Sequence, residues 1–338
     1  MKSYNLYAVN DLRYEEKSLP QLLPGWCLVK VKAAGICSSD IPRIYKKGTY
    51  HFPTIPGHEF SGVVESVADK KNINVVGKKV GVFPLIPCGK CEFCQQKKYE
   101  MCINYDYIGS RRDGAFAEYV AVPIWNIVVL DEKVSFVDAA MMEPLAVSLH
   151  AINQMSISPS DDIAIVGTGM IAFAAAQWAG ARKARSVTVI GRSDSKRTIA
   201  ESIGGISYFT CYECKDTFNA VLEAVGSNES IEMAINLVKP GGTLVLMGNP
   251  QGDIVLSQDT YWRILRKQLT VKGTWNSSYE QGMRCDWEEV KESLTNQTIN
   301  VKNLVSHVFP QDELRNALEL MRDHKEPYCK VMTIWNGE

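Results

Sequence analysis

The sequence has no apolar run long enough to cross a bilayer, and its first residues lack the apolar core of a signal peptide. A membrane helix needs about 20 consecutive apolar residues and an export signal about 7–15, so we expect neither insertion nor export. No sign of charge is in excess, because 37 Lys and Arg residues stand against 38 Asp and Glu residues. This balance argues against a nucleic-acid partner held by bulk charge.

Internal repeats and low-complexity tracts are also missing, and the composition is that of an ordinary globular protein, with 46% hydrophobic and 22% charged residues. The 338 residues exceed what one hydrophobic core usually supports, which predicts two domains. The ten cysteines, in a chain without an export signal, predict a reducing cytoplasm as its location.

The hydrophobic pattern changes once, near residue 138. Before that point the chain reads as short strands, such as the alternating segment WCLVKVKAAGIC, with no long helical pattern. After it come a helical segment interrupted by Pro144 and then strands, glycine turns and helices in alternation, which predict a parallel sheet. We expect an α/β protein in which residues 1–148 form a mostly-β domain, residues 149–290 form the parallel-sheet domain, and residues 291–338 return to the first.

Four cysteines lie close together in the segment CGKCEFCQQKKYEMC. Three are spaced by two residues and the fourth follows eight positions later, so that the four thiolates can surround one point in a compact lobe. Zn²⁺ takes four such ligands tetrahedrally, and a site closed by four thiolates has no position left for substrate. We therefore predict a structural zinc; two disulfides or four unrelated buried thiols are the alternatives. The predicted ligands are Cys88, Cys91, Cys94 and Cys102.

A second set of metal-ligating residue types lies before and after that lobe. Cys37, His58, Glu59 and Glu143 each occupy a predicted loop or strand end. A lone histidine is more often a structural residue than a ligand, but the combination of Cys, His and Glu beside a separate zinc lobe favours a metal. Three protein ligands leave one position for water or a substrate oxygen, which is the arrangement that catalytic zinc requires.

The segment GTGMIA, residues 167–172, follows an apolar strand and opens an apolar helix. In that setting the first glycine makes a tight turn, and the second lets the backbone approach a pyrophosphate held on the helix N-terminus. Alanine is an allowed replacement for the third glycine. We predict a dinucleotide cofactor bound at Gly167, Gly169, Met170 and Ile171.

The end of the next strand bears on which dinucleotide is bound. NAD enzymes place Asp or Glu there to hydrogen-bond the ribose 2′-hydroxyl, but this strand ends in Gly191-Arg192-Ser193. Arg192 and Ser193, with Arg197 nearby, offer donors to a 2′-phosphate instead, which predicts NADP(H) in preference to NAD(H). The alternatives are that Asp194 replaces the missing carboxylate or that Arg192 is only a solvated charge.

These motifs occur in the order in which one known family has them. GICSSD, PGHEFSG, the four-cysteine lobe, EPLAVSLHA and GTGMIA resemble the zinc-dependent medium-chain alcohol and polyol dehydrogenases over essentially the whole chain. The Glu-Pro-Leu form is similar to the sorbitol-dehydrogenase branch, and PRIYKKG, YDYIGSRRDGAFAEY and LRKQLTVKGTW are similar to its enzymes for galactitol 1-phosphate. The resemblance implies a GroES-like catalytic domain and a Rossmann domain with a doubly wound parallel sheet.

The resemblance also assigns roles by position. Cys37, His58 and Glu143 would ligate a catalytic zinc, which acts as a Lewis acid while a hydride passes between an alcohol carbon and the nicotinamide. Glu59 would be a supporting or exchanging ligand, and Ser39 stands where the family has the hydroxyl that takes the alcohol proton. The remaining assignments are Val225 and Gly248 to the cofactor and Arg43, Arg111, Arg112 and Trp275 to the substrate.

The substrate follows from the arginines, since an arginine pair suits a phosphate, which it grips bidentately. We expect a polyol phosphate of the galactitol 1-phosphate type and a ketose phosphate product. An ordinary solvated loop, and hence an unphosphorylated polyol or secondary alcohol, is the alternative. A non-catalytic redox sensor that binds zinc and dinucleotide is the alternative of another class. The resemblance further implies a homodimer or homotetramer, without a membrane or nucleic-acid partner.

One further motif stays outside these roles. Cys211 and Cys214 form another Cys-x-x-Cys pair late in the nucleotide domain. Because no second pair accompanies it, the sequence favours neither a third metal site nor a redox site there.

Overall fold

The protein is described here by a computed structural model that covers residues 1–337. The chain divides into two compact units: the first comprises residues 1–143, 278–297 and 305–338, and the second comprises residues 144–277 and 298–304. The return to the first unit therefore begins earlier than the expected residue 291.

The earlier return has a packing reason. Tyr279 stacks on Phe83 with a centroid separation of 4.6 Å, and Trp287 meets the same Phe83 ring edge-on at 5.5 Å. Tyr279 and Trp287 are almost fully buried, so the segment that carries them belongs to the core of the first unit.

Most of the strands are short, but β3 has 11 residues and β4 and β14 have nine each. They are β1 (Lys2–Ala8), β2 (Asp11–Glu16), β3 (Trp26–Ile36), β4 (Glu59–Val67), β5 (Lys79–Val82), β6 (Leu85–Ile86), β7 (Asp106–Tyr107), β8 (Tyr119–Pro123), β9 (Ile127–Val129), β10 (Asp162–Val166), β11 (Ser186–Gly191), β12 (Ser207–Thr210), β13 (Phe218–Glu223), β14 (Val238–Leu246), β15 (Thr270–Gly273), β16 (Val305–Pro310) and β17 (Lys330–Ile334).

The longer helices of the described chain all begin at or after Met142. The α-helices are α1 (Asp40–Pro42), α2 (Glu92–Gln95), α3 (Phe136–Ala140), α4 (Met142–Asn153), α5 (Met170–Ala181), α6 (Arg197–Ile203), α7 (Asn228–Leu237), α8 (Gln258–Arg266), α9 (Asp286–Asn296) and α10 (Leu314–Asp323). Pro144 falls in the first turn of α4, where its missing N–H costs no hydrogen bond. The helical pattern predicted around it is therefore split at Met141 into α3 and α4.

The first unit is built on a seven-stranded sheet in the order β16-β17-β3-β4-β5-β9, with β8 also paired to β3. The long strand β3 is buried along most of its length because it is flanked by β4, β8 and β17. The hydrophobic core of the first unit contains large apolar side chains such as Phe60, Phe116 and Trp335. The predicted GroES-like β domain is confirmed.

The second unit contains six parallel strands in the order β12-β11-β10-β13-β14-β15. β10, β11 and β13 are nearly continuous apolar runs, as expected of strands covered on both faces. The strand order reverses beside β10, whose neighbours are β11 and β13. In such doubly wound sheets, ligands bind at the carboxyl ends of the strands at this reversal. The predicted Rossmann sheet is confirmed.

One connection in this sheet is unusually short. Residues 211–217 carry the chain from β12 to β13, across β11 and β10, without a helix. Parallel strands normally need a crossover of a dozen or more residues.

Among residues 1–337, no helix is long and apolar enough to span a membrane.

Candidate metal centres and cofactor site

The four cysteines between residues 88 and 102 surround one point, and their sulfur atoms lie within 4.8 Å of one another. The Sγ–Sγ distance is 3.5 Å for Cys91 and Cys94, and 3.9 Å for both Cys88–Cys94 and Cys91–Cys102. A tetrahedral ion with Zn–S bonds of about 2.3 Å needs sulfur atoms about 3.8 Å apart, whereas a disulfide needs about 2.05 Å. The predicted structural zinc site is confirmed, and the disulfide alternative is wrong.

The local backbone prepares this lobe for a metal. The backbone N–H groups of Cys94 and Ile103 lower the pKa of the Cys91 thiol to about 6, and the thiolate is the form that binds zinc. The N–H of Cys88 donates to Cys102 Sγ at 3.3 Å. Burial raises the pKa of Cys94 to about 12, so this thiol depends on a bound cation to ionise.

The second set of ligand residues forms where two paired strands end. β3 and β4 are antiparallel, and Gly35 stands opposite Glu59. This pairing brings Cys37, just beyond β3, to His58 and Glu59, and one ligand atom of each lies within 4.8 Å of the others. Gly35 is required because a Cβ at that position would overlap the Glu59 side chain. Soft thiolate, imidazole and carboxylate donors in one cluster suit zinc.

Asp40 positions this cluster, and the sequence analysis did not single it out. Its Oδ1 lies 3.6 Å from His58 Nδ1, and its Oδ2 accepts a hydrogen bond from the backbone N–H of Cys37 at 3.0 Å. His58 Nδ1 is buried and forms no hydrogen bond within the described residues, so the Asp40 carboxylate acts on it as a nearby negative charge. That charge favours a proton on Nδ1, which would leave Nε2 for a metal. The available signal was its place three residues after Cys37, in the motif GICSSD. Ser39, the predicted proton acceptor, is half-buried in the same loop.

Lys330, on the last strand, is the second residue that the sequence did not reveal. Its ammonium group forms a buried ion pair with Glu59 and donates to the carbonyl of Ile36 at 3.2 Å. Both side chains of the ion pair are at most 5% exposed. Almost 300 residues separate Lys330 from Ile36 along the chain, and only the pairing of β17 with β3 brings them together.

Glu143, the third predicted zinc ligand, lies outside the 4.8 Å cluster. Its carboxylate is buried, and its Oε1 accepts a hydrogen bond from the Tyr107 hydroxyl at 3.3 Å. Burial raises its pKa to about 7, although His58 acts in the opposite direction. The Tyr107 ring also packs edge-on against His58, with centroids 5.7 Å apart. Glu143 therefore lies beside the cluster, and its role as a ligand stays a prediction.

Two of the three arginines predicted to bind substrate already have carboxylate partners. Arg43 donates to Asp40 at 2.8 Å. Arg112 forms an ion pair with Asp106, and its guanidinium lies 5.1 Å from the centroid of the Trp26 ring. Their charges are compensated within the first unit.

Arg111 is held differently, between two tyrosine rings. Its guanidinium carbon lies 4.4 Å from the Tyr50 ring centroid and 4.2 Å from that of Tyr105. It donates to the carbonyl of Tyr105 at 2.8 Å and to the Tyr50 hydroxyl at 3.4 Å, while Nε is buried without a hydrogen-bond partner in the part of the chain that the structure describes. Arg111 forms no ion pair among residues 1–337. Tyr105 in turn packs edge-on against Tyr107, with centroids 6.2 Å apart.

The dinucleotide motif folds as the sequence predicts. Gly167 has a φ of +127°, and Gly169 precedes the first residue of α5 without a side-chain cap. The backbone N–H groups at the start of α5, including those of Met170 and Ile171, are therefore not capped by a neighbouring side chain. The Val225 side chain would lie 3.1 Å from a Cβ on Gly167. A helix N-terminus of this kind fits a pyrophosphate.

The loops that follow the parallel strands β13 and β14 lie at the same end of the sheet; Glu223 ends the first strand and Gly248 lies just beyond the second. Glu223 Oε1 accepts hydrogen bonds from the N–H groups of Val225 and Gly226, both at 2.8 Å. Its Oε2 is buried without a partner among the described residues. Gly248 leaves room for Gly226, because a Cβ at residue 248 would collide with the backbone there. Trp275 is 60% exposed just after β15, and the structure records no substrate contact that would test it.

The residues predicted to contact the ribose differ in whether their charges already have partners. Arg197 forms ion pairs with Asp194 and Glu213 and lies over the Tyr208 ring, so its positive charge is compensated by these two carboxylates. Arg192 is exposed and forms no ion pair within residues 1–337. The side-chain hydroxyl of Ser193, beside it, lies 3.1 Å from the hydroxyl of Ser195.

Two family profiles match the chain: the alcohol dehydrogenase GroES-like domain over residues 23–132, and the zinc-binding dehydrogenase over residues 167–296. Galactitol 1-phosphate 5-dehydrogenase of Escherichia coli (strain K12) is 35% identical over 316 residues, which cover 89% of this chain and 91% of that protein. The crystal structure of galactitol-1-phosphate dehydrogenase from Escherichia coli superposes with a TM-score of 0.88 at 32% identity, covering 99% of this chain and 100% of that one.

Two other solved structures contain a cofactor. A zinc-binding dehydrogenase from Sinorhizobium meliloti 1021, bound to NADP, has a TM-score of 0.89 at 27% identity over 98% of both chains. An alcohol dehydrogenase from Escherichia coli CFT073, complexed with NADH, has a TM-score of 0.90 at 25% identity over 99% of both chains. The similar proteins thus include one with each dinucleotide.

Proposed function

The chain belongs to the zinc-binding dehydrogenases and is a zinc- and NAD(P)-dependent alcohol or polyol dehydrogenase; from that premise we propose that its substrate is a polyol phosphate. The observation that carries the proposal is Arg111, a guanidinium held between two tyrosine rings without a carboxylate partner among the described residues. The relative at 35% identity is named for galactitol 1-phosphate, which has the same chemistry.

The residues of the first unit divide the reaction between them. Zinc, when bound, supplies a Lewis acid that lowers the pKa of an alcohol, and the nicotinamide supplies the hydride acceptor. Cys37, His58 and Glu143 hold the ion in our proposal, and Asp40 keeps His58 in the tautomer that presents Nε2. Ser39 takes the proton of the substrate hydroxyl. The lysine paired with Glu59 keeps that carboxylate beside the cluster without leaving a net charge buried.

Glu143 and Glu59 can be distinguished by substitution. Glu59 forms an ion pair with a buried lysine, whereas Glu143 accepts a hydrogen bond from the Tyr107 hydroxyl and feels the charges of His58, Glu59 and Lys330. We expect Glu143→Gln to lower zinc affinity and kcat at least tenfold, and Glu59→Gln to lower them less. Zinc affinity is measured by competition with a chromophoric chelator, and the reverse order of effects would make Glu59 the ligand.

The phosphate hypothesis rests on the absence of a carboxylate partner for Arg111 among the described residues. A guanidinium fixed by two aromatic rings loses little conformational entropy when it binds an anion, and it grips phosphate through two parallel N–H donors. The Tyr50 ring, which forms one side of this clamp, is 70% exposed, and Arg111 itself is half-buried. A free polyol offers no charge that this arginine would recognise.

The test compares galactitol 1-phosphate with galactitol and sorbitol in one zinc-replete preparation. We expect a strong preference in kcat/KM for the phosphate, and we expect Arg111→Met to lower it at least tenfold, which is about 1.4 kcal/mol, mainly through KM. Arg112→Met is the matched control, because Arg112 is neutralised by Asp106. Equal or better rates with the free polyols would establish a general polyol dehydrogenase and would refute the proposal.

For the cofactor we propose NADP(H). Arg192 is exposed, forms no ion pair within the described chain, and follows a strand end that carries no carboxylate. A higher kcat/KM with NADP⁺ than with NAD⁺, reversed in an Arg192→Ala variant, is the expected result. A wild-type preference for NAD⁺ would refute it, and Arg197→Ala is the control because Arg197 is already paired.

We also propose that the chain forms a homodimer or homotetramer through the second unit. β15 is an edge strand that pairs only with β14, and Val271 on it is 41% exposed. The nearby helix α8 exposes Trp262 and Leu265, and Val255 just before it is 71% exposed. An unpaired edge next to several exposed large apolar side chains suits a second copy of the same surface.

For the location of the protein we propose the reducing cytoplasm. None of the ten cysteines forms a disulfide bond, which supports this proposal.

A further inference from the structure

The helix-free crossover between β12 and β13 begins with a tight turn that contains two cysteines. The N–H of Cys214 donates to the carbonyl of Thr210 at 3.2 Å, and the N–H of Glu213 donates to the same carbonyl at 3.0 Å. Thr210 to Cys214 is thus one turn of helix-like backbone. In such a turn, side chains three positions apart are neighbours, with Cβ atoms about 5–6 Å apart.

The turn borders a cavity of about 360 Å³ in the second unit. Cys211 and Cys214 line it from one side, and Glu229 and Met233 of α7 line it from another. Both thiols are half-buried, and Tyr212 between them is 87% exposed. The cavity gives the two side chains room to turn towards each other, and the exposed turn gives a small reagent access to them.

We propose that Cys211 and Cys214 are a redox-active pair that closes to a disulfide and thereby weakens dinucleotide binding. Disulfide geometry needs Cα atoms about 4.4–6.8 Å apart and Cβ atoms about 3.5–4.5 Å apart. A three-residue separation within one helix-like turn meets the first requirement, and a small movement of the turn into the cavity meets the second. The sequence alone favoured no such role because it showed neither the turn nor the cavity.

The turn is hydrogen-bonded to the strand end that, in the proposed function, binds the ribose of the dinucleotide. The N–H of Cys211 donates to the carbonyl of Gly191 at 2.8 Å, immediately before Arg192. Glu213, which lies between the two cysteines, forms an ion pair with Arg197 at 3.2 Å and accepts from the N–H of Thr210 at 2.7 Å. A movement that joins the cysteines therefore displaces Glu213 and the backbone beside Arg192.

A small disulfide such as glutathione disulfide is the oxidant. The Cys211 thiolate attacks one of its sulfur atoms, which forms a mixed disulfide and releases one glutathione. Cys214 then attacks the Cys211 sulfur, which closes the protein disulfide and releases the second glutathione. Two electrons and two protons pass from the protein to the reagent. Cys211 attacks first because burial raises the pKa of the Cys214 thiol.

The test equilibrates zinc-loaded protein in glutathione buffers of increasing oxidised fraction, alkylates the free thiols, and identifies them by peptide mass spectrometry. Cys211 and Cys214 are expected to escape alkylation together, with a loss of two hydrogens from their shared peptide. Cys285, half-buried with no second cysteine close in sequence, is the control that should stay alkylated. Full alkylation of the pair in every buffer, or glutathione adducts without ring closure, would overturn the proposal.

The consequence is measured as dinucleotide affinity, by titrating tryptophan fluorescence with NADP⁺ and NAD⁺. The oxidised protein is expected to bind at least threefold more weakly than the reduced protein, and reduction should restore the affinity. A Cys211→Ser/Cys214→Ser variant should show no difference between the two buffers. Equal affinity in oxidised and reduced wild type would refute the coupling. Because neither readout requires a substrate, both are independent of the polyol phosphate assignment.

Discussion

At the scale of single residues, the buried ion pair between Lys330 and Glu59 combines a stability role with a place in the metal cluster. Glu59 is 2% exposed and stands beside His58, while Lys330 comes from the last strand. A buried pair is close to neutral in net stability, but the loss of one partner leaves an uncompensated charge away from water. The pair therefore ties the folding of the C-terminal strand to the geometry of the cluster.

The substitution Lys330→Met tests this. We expect it to lower the free energy of unfolding by about 3–5 kcal/mol, because Glu59 would remain buried without its cation. Urea denaturation in excess zinc gives the value. The double variant with Glu59→Gln should recover part of the loss, and Lys133→Met, at an exposed lysine, should change stability by less than about 0.5 kcal/mol. A loss as small as that of the control would refute this role.

Asp162 plays a comparable part in the second unit, at the start of β10. Its carboxylate accepts a hydrogen bond from Ser186 at 2.7 Å, forms an ion pair with Arg185, and accepts from Lys239 at 3.1 Å. These donors hold the pKa of Asp162 well below its ordinary value, and the hydrogen bond from Arg185 has the largest effect. Burial acts in the opposite direction and raises the pKa. Ser186 begins β11, Arg185 immediately precedes it, and Lys239 comes from β14, so one side chain links β10 to the adjacent β11 and, across β13, to β14.

The pH dependence follows from the direction of that shift. A depressed pKa stabilises the folded state at pH values above the ordinary pKa of about 3.9, and this stability is lost as pH falls below it. We expect Asp162→Asn to lower the free energy of unfolding by about 1–2 kcal/mol at pH 7. The difference from wild type should shrink as the pH falls from 5 to 3. Urea denaturation across this range measures it, and a difference independent of pH would contradict the assignment.

At the scale of elements, the four-cysteine lobe consists of short turns that lack a core of their own. It contains only α2 and a three-residue 3₁₀ turn around the cysteines. A segment with so little buried apolar surface depends on its metal for a fixed conformation. The sulfur–sulfur distances already match a tetrahedral zinc, so the lobe is shaped for the ion.

Substitution of Cys94 by Ser should therefore release the structural zinc. We expect one equivalent of zinc per chain instead of two by elemental analysis, and a lower melting temperature, because Cys94 is a buried ligand. Cys27→Ser, which changes a buried cysteine outside the lobe, is the matched control and should retain both ions. Full zinc content in the Cys94 variant would contradict the four-ligand site.

At the scale of the whole molecule, the proposed oligomer rests on the exposed apolar side chains of the second unit. Exposed large apolar side chains that lie together mark interaction surfaces more often than free surface, and the edge strand β15 offers unpaired backbone groups in the same unit. A symmetric pairing would cover both at once.

The double substitution Trp262→Glu/Leu265→Glu should convert the oligomer to a monomer, because two charges would be buried in the interface. Light scattering coupled to size-exclusion chromatography measures the mass. Ile73→Glu, at an exposed apolar residue of the first unit, should leave the wild-type mass unchanged. A wild type that is already monomeric would refute the proposed interface.

The sequence by itself determined what depends on local pattern. The cysteine spacing predicted the zinc lobe, the strand–glycine–helix order predicted the Rossmann sheet, and the motif GICSSD contained Cys37 and Asp40 together. These features are encoded within a few neighbouring residues, where spacing translates directly into geometry.

Only the tertiary structure decided the features that join distant segments. Lys330 reaches Glu59 because β17 pairs with β3, and the first unit regains the chain at residue 278 because Tyr279 and Trp287 pack on Phe83. The same holds for Arg111 and Arg112, which are neighbours in the sequence. The structure places a carboxylate beside Arg112 and two tyrosine rings around Arg111. Contacts of this kind depend on strand register and side-chain packing, which no local pattern encodes.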